Sequence, residues 1–425
     1  MAVTPTTMTE LNDLAKDFYS DVYVNLQNTE TPLKNQLARL EGANFTGRKW
    51  IFGVKMSVGG GASNAGANKT LPAATDGTYN QGEALVVRTY DRMALDGLAI
   101  EVTKKQAGSY RPAVAEVMSD RLSAIDLEVN RQMFSNGDGK CCLISGAGAA
   151  SATQSIQLDY GVANGGPGGK HIYPGDQLAL YDVTNTLIGR RTVISVDQSA
   201  SPNTVTLDST ITSTAATNYF AKSTADSDNS LATGMAGEAH GLLESVKNST
   251  TFEAIPGTLR WRGTVDSNAG VLRDISDSLV MKMLATVREK SRKVPNLVVT
   301  SPGVQLKYSE IFLPIRRIDG QDPQLKGGYK PITQVVHGGG SIPVIADSDC
   351  PESRMFFLNT DAFRMADLVG TEFADIDGGQ FIRVTDKDAI EGYVRKYWNL
   401  ITVQRNANGV IEDLNTIDTI NRTAA

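Results

Sequence analysis

The sequence predicts an α+β fold, and three patterns carry that expectation. Residues 49–58 alternate with period two. Residues 112–136 repeat an apolar side chain every three or four positions. Residues 177–207 hold short β-rich runs separated by turn residues. Period two marks a strand with one apolar face, and a step of three to four marks a helix lying on a core. Strands and helices are interspersed along the chain with no regular βαβ repeat.

Bulk properties bound the possibilities. The chain has 425 residues, 41% hydrophobic and 21% charged, enough for two or three packed units. No run approaches the roughly 18–20 apolar residues that cross a bilayer as a helix. The start, Met1-Ala2-Val3-Thr4-Pro5, lacks the basic and apolar regions of a Sec signal, so synthesis in a cytoplasm is expected. The net charge is -6, and basic clusters such as Arg288–Lys293 and Arg190-Arg191 are short. A phosphate-gripping stripe is therefore not expected, although enclosing DNA does not require one. Cys141, Cys142 and Cys350 give no disulfide framework and are expected to be reduced.

Residues 1–45 read as an arm, with a short amphipathic segment at Met8–Phe18 and a second helix signal around Pro32–Leu40; neither is long enough to stand alone. Trp50, Phe52, Val54, Met56 and Val58 then form one face of a strand. A glycine-rich stretch follows from Gly59, and the chain returns as a strand over Glu83–Tyr90, making a hairpin with a long tip. In the 112–136 helix the stripe is Val114, Met118, Leu122, Ile125, Val129 and Met133; the helix would span roughly 37 Å and stops at Asn136-Gly137-Asp138-Gly139. Strand runs at Gln177–Tyr181, Thr192–Val196 and Thr204–Leu207 predict a small β-barrel or β-unit inserted over 147–222, with Gly165–Gly169 as a linker-like run-in. A second long helix is expected over Ala269–Lys290, on the stripe Leu272, Ile275, Leu279, Met283 and Val287. Strands follow at Leu297–Thr300, Ile342–Ile345, Met355–Leu358, Phe381–Val384 and Gly392–Val403.

Site chemistry is sparse. His171, His240 and His337 have no second ligand at a metal spacing, and neither a phosphate-binding Gly-Lys-Ser/Thr loop nor a Gly-x-Ser-x-Gly elbow occurs. Nothing in the sequence pairs carboxylates such as Asp347 and Asp349 as acid and base. No catalytic residue, metal site or cofactor is expected.

Five stretches, in order, resemble major capsid proteins of tailed bacteriophages of the Hong Kong 97 type. They are Asp96–Lys105, Asp126–Gly139, Gly241–Ser245 with Trp261-Arg262-Gly263, Pro295–Gly303, and Gly340–Asp347 leading to Met355–Thr360. The resemblance implies a Hong Kong 97-like capsid fold with axial and peripheral domains. Residues 1–45 would be the N-terminal arm and 46–92 the extended loop over a neighbour. Residues 93–146 would carry the spine helix of the peripheral domain, and 147–222 the inserted β-rich domain. Residues 223–380 would be mainly axial, with peripheral crossings, and 381–425 the return strand and C-terminal segment. It also implies an icosahedral virion shell of many copies in hexamers and pentamers, enclosing double-stranded DNA without sequence-specific binding. A separate scaffolding protein, a portal, room for a decoration protein and no membrane complete the implied partners.

Mechanically, the arm and hairpin are expected to find little burial in their own chain, so Trp50, Phe52, Val54 and Met56 are the expected inter-subunit contact face. Three rival readings stand beside this one. They are an encapsulin-like cellular compartment, a tail, baseplate or decoration protein, and an enzyme; the missing site chemistry weighs against the last.

Overall fold

The structure is a computed structural model describing residues 30–37, 47, 49–60, 62–64, 67, 70–71, 73, 75–104, 113–145, 151–199, 202–212, 217–222, 238–247, 251–311, 334–337, 340–375 and 379–417. The helix expected over Met8–Phe18 lies outside them. The described residues form two compact units: a smaller one on Asp91–Ala124 and Phe373–Val394, and a larger one on Thr31–Tyr90, Ile125–Glu372 and the chain from Arg395.

In chain order, α1 (Pro32–Leu37) precedes the strands β1 (Lys49–Lys55), β2 (Tyr79–Leu85) and β3 (Val87–Asp96). Helices α2 (Gly97–Lys104) and α3 (Ala113–Phe134) come next. Six strands follow: β4 (Lys140–Ile144), β5 (Ser151–Asp159), β6 (Gln177–Tyr181), β7 (Leu187–Asp197), β8 (Thr204–Ile211) and β9 (Tyr219–Lys222). Then come α4 (Leu242–Ser245), β10 (Thr264–Asp266), α5 (Asp277–Ser291), β11 (Leu297–Thr300) and α6 (Pro302–Glu310). The last strands are β12 (Gln334–His337), β13 (Gly340–Ala346), β14 (Met355–Leu358), β15 (Phe363–Phe373), β16 (Ile382–Arg383), β17 (Ala389–Thr402) and β18 (Gly409–Ile411).

Helix α3 is the long helix the apolar stripe predicts. It has 22 residues and runs about 33 Å. Ile125, Val129, Met133 and Phe134 are buried. It stops where glycine is needed: Gly137 (φ 68°) and Gly139 (φ 73°) take the left-handed backbone that side chains resist.

In the larger unit, a six-stranded sheet runs in the order β10-β18-β14-β11-β13-β12. One face, with Val298, Val344, Met355, Phe357 and Ile411, packs on Val280, Met283, Leu284 and Val287 of α5 and on Val304 and Tyr308 of α6. From α3, Phe134 meets Phe356 with ring centroids 6.3 Å apart. Helix α5 begins at Asp277, not at Ala269 as its stripe suggested. The Asp413 carboxylate accepts hydrogen bonds from Ser267 Oγ (2.7 Å), Asn268 N (2.8 Å) and Gly270 N (3.0 Å), which holds those residues in a loop. Ser276 then caps the helix through Leu279 N.

Between α3 and α4 the chain makes a closed barrel, β4-β5-β8-β7-β6-β9. Its core is Cys142, Ile144, Ile156, Ile172, Leu178, Leu180, Val193, Val205, Leu207, Ile211 and Phe220. The barrel takes in Lys140–Ile144, ahead of the start expected at 147. The glycine-rich 165–169 is not a run-in but the β5–β6 connection, fixed by Glu352 N donating to Gly165 O at 2.9 Å.

A further sheet has the order β15-β17-β16, with β3 also pairing with β17. Within the smaller unit, Gly97 N at the start of α2 donates to Asp388 O (2.7 Å), and Arg121 meets Asp91 at 3.3 Å.

Candidate assembly surface

Strands β1 and β2 pair antiparallel in register from Lys49↔Leu85 to Lys55↔Tyr79. Past the ladder, Met56 N donates to Thr78 O at 2.8 Å, and the hydroxyls of Ser57 and Thr78 lie 2.5 Å apart. The alternation of Trp50, Phe52, Val54 and Met56 against Ile51, Gly53 and Lys55 therefore becomes two faces of a ribbon.

The structure brings the four expected contact residues together, on a face that meets their own chain. Trp50 and Phe52 pack with Ala84, Ala366, Ile401 and Val403. Phe52, Val54 and Met56 pack with Phe252, Ile255 and Trp261. All four are half-buried, so the expectation of little intrachain burial is corrected. The alternation that identified the strand could not say what covers its apolar face, because Phe252, Trp261, Ala366 and Ile401 lie far along the chain.

Polar bonds fasten the same ribbon. Glu83 N donates to Glu253 O (2.9 Å), Asn399 Nδ2 to Leu85 O (2.6 Å) and Arg260 Nη1 to Met56 O (3.4 Å). Glu253 (φ 50°) and Ala254 (φ 63°) form a tight turn against it. The Glu253 side chain is buried and accepts from Thr402 N at 3.1 Å; burial pushes its carboxyl up to about 8. The other face of the ribbon is bare. Ile51 is 55% exposed and Tyr79 68%, and Lys55 Nζ sits 5.6 Å from the Tyr79 ring centroid.

The described part of the arm, α1, is seated by polar groups that sequence reasoning left unpaired. Leu33 and Leu37 are buried. Leu33 N donates to Asp347 Oδ2 (3.0 Å) and Lys34 N to Asn130 Oδ1 (3.1 Å), so two side chains satisfy amides that the first helical turn leaves open. The Asn130 amide also donates to Asp347 (3.2 Å) and to Asp349 (2.6 Å). Burial, then the charge of Asp347, raises the Asp349 carboxyl to about 6. His171 Nδ1 lies 3.6 Å from Asp349, and burial followed by Lys170 keeps this imidazole well below its usual range, hence neutral.

A second buried cluster ties α3 to the barrel. The Arg131 guanidinium bonds Glu128 (3.0 and 3.1 Å from Nε) and also Glu238; Lys222 Nζ of β9 bridges Glu128 and Asp176 at 3.2 Å each. Although burial opposes ionisation, Arg131 and Lys222 hold the Glu128 carboxyl well below the usual range. Burial raises the thiol of Cys141 to about 11 and that of Cys350 well above its usual value, leaving both protonated and unreactive at neutral pH. Among the described residues, no three His, Cys, Asp or Glu side chains group as a metal site.

Several solved structures are similar to this chain, among them two named as capsids. The Cyanophage A-1(L) capsid asymmetric unit matches with a TM-score of 0.57 and 14% identity, covering 96% of this chain and 99% of that one. The capsid of a native GTA particle gives 0.52 and 9%, covering 97% and 100%. A chain of Mycobacterium phage Bobi gives 0.50 and 7%, covering 97% and 99%. No family model and no curated protein matches the sequence. The chain thus has the Hong Kong 97-like capsid fold that its sequence predicts.

Proposed function

We propose that this chain is the major capsid protein of a tailed phage, a structural subunit that self-assembles into an icosahedral head around double-stranded DNA. One observation carries the reading: the likeness to a phage capsid chain spans 96% of this chain and 99% of the other. In this reading hexamers and pentamers of the chain close the shell, residues 46–92 overlap a neighbour, and a scaffolding protein, a portal and a decoration protein act with it. The bare face of the ribbon, Ile51 and Tyr79, joins the half-buried Trp50, Phe52, Val54 and Met56 as the contact offered to that neighbour. Each contact can be weak, because a closed shell multiplies it. The DNA is contained rather than gripped, in keeping with a chain of net charge -6.

Cryo-electron microscopy of native particles, or of the chain co-expressed with its scaffolding partner, tests the reading. Closed icosahedral shells with the ribbon lying on an adjacent subunit support it. Tubes, rings or dispersed monomers would move the chain to a tail component, and native heads built without it would end the proposal.

A further inference from the structure

We propose that the basic end of α5 docks onto the acidic surface of the smaller unit of a second copy of this chain, a contact that rests on the shell reading above. Arg288, Lys290, Arg292 and Lys293 crowd the last turn of α5 and its cap, all exposed. Arg262 arrives beside them from a separate segment. Lys290 Nζ reaches Gly263 O at 3.5 Å, and burial together with the Arg262 charge pushes its amine downward. Among the described residues, Arg288, Arg292 and Lys293 form no ion pair, and Glu289 is the one acid in the turn.

A helix C-terminus favours cations, but only over its own last turn and by a few tenths of a kcal/mol to about 1. Arg262, fixed by its Nε donating to Gly257 O at 2.5 Å, adds like charge beside that turn, and a partner of opposite charge would neutralise the cluster.

The smaller unit supplies the complement. Its described residues in Asp91–Ala124 and Phe373–Val394 carry nine acidic side chains against five basic ones. Asp96, Glu101, Asp386 and Asp388 are exposed around the start of α2 and the β16–β17 turn. These segments adjoin: a Cβ on Gly97 would stand 2.5 Å from the Asp388 carboxylate. A head-to-tail contact between identical copies needs two different, complementary patches on one chain, and this separation of charge provides them. The basic patch is also continuous with the ribbon offered to a neighbour, because Arg260 holds Met56 O at 3.4 Å. A nucleic-acid backbone fits less well, since the aromatic side chain interleaved with these cations, Trp261 between Arg260 and Arg262, is buried with Phe252 and Ile255 and offers no face to a base.

Zero-length carbodiimide crosslinking of assembled particles, made from mixed isotope-labelled and unlabelled chain, reads the contact directly. The expected product joins Lys290 or Lys293 of one copy to Asp96, Glu101, Asp386 or Asp388 of another. Particles with no such inter-copy product overturn the inference and leave the shell reading standing; dispersed chain with no product removes both. As a second readout, the R288E/R292E/K293E variant, checked for an unchanged melting temperature, should lower the assembled fraction about tenfold at low salt, the scale of a few lost surface pairs. Unchanged assembly, or loss of salt-sensitive DNA binding in place of assembly, overturns it.

Discussion

The ring of Phe52 lies across Gly82, its cross-strand partner: a Cβ on Gly82 would come within 2.4 Å of the ring's Cζ. Glycine normally weakens a strand, and here it leaves the space that the tip of the Phe52 ring occupies. Gly82→Ala should therefore cost about 1–3 kcal/mol by forcing the ring off its seat. Melting temperatures of G82A, F52A and the double variant check this, because the two changes should be strongly non-additive.

The two faces of the ribbon should separate folding from assembly. Trp50→Ala with Phe52→Ala should lower the melting temperature, since both side chains pack on their own chain. Ile51→Ser with Tyr79→Ser should leave melting within about 0.5 kcal/mol and reduce shell yield. Particle counts by electron microscopy beside calorimetry decide between these outcomes.

Asn130 joins α1 to two carboxylates, so Asn130→Ala should release the arm. The variant leaves the buried Asp347 without one donor and Lys34 N without its acceptor, a loss of about 1–3 kcal/mol. Hydrogen exchange across residues 31–37 should accelerate in N130A while exchange within the barrel is unchanged.

Arg131→Ala should be among the most destabilising single changes. It strands Glu128 and Glu238 in the interior with Lys222 as the remaining cation, and breaking such a pair costs about 3–5 kcal/mol. Urea midpoints measure it, and Arg131→Met with Glu128→Met and Glu238→Gln should recover much of the loss.

The stability contributed by Glu253 should fall as pH rises between about 4.5 and 8, against an opposite trend from the buried neutral His171 below about 6.5. Glu253 has a folded value raised by burial to about 8, so the folded state holds a proton that the unfolded chain has released. Its contribution is complete below its ordinary value and lost as pH climbs through the folded one. Asp349, raised to about 6, adds to the lower part of the window. Urea midpoints from pH 4 to 9 should flatten above about 6 in E253Q.

How much of this was legible beforehand follows from the range of each interaction. The α3 stripe, the stop at Asn136–Gly139 and strands β6, β8, β11, β13 and β14 are written in neighbouring residues, and period and turn chemistry sufficed for them. The start of α5 was misplaced because Leu272 continues the apolar spacing, whereas the residue that prevents helix there, Asp413, is distant in sequence. Leu272 is in fact 46% exposed. The pairing of Asp347 with Asp349 also needed a third party, Asn130, 217 positions away from Asp347. For the hairpin, periodicity identified the apolar face, and the two core clusters that half-cover it come from segments with no local signature.

The barrel closes through β4 and β9, which pair with Lys140 opposite Ala221. The chain therefore leaves the spine and returns to it at the same point, the two strands lying about 5 Å apart. A segment attached this way begins and ends at one place, so its length is not set by a distance the chain must span. A short turn joining Lys140 to Ala221 would bypass it, and a foreign domain grafted there would need closely spaced termini and would forfeit the barrel's own ties, Glu352 N to Gly165 O and His171 to Asp349.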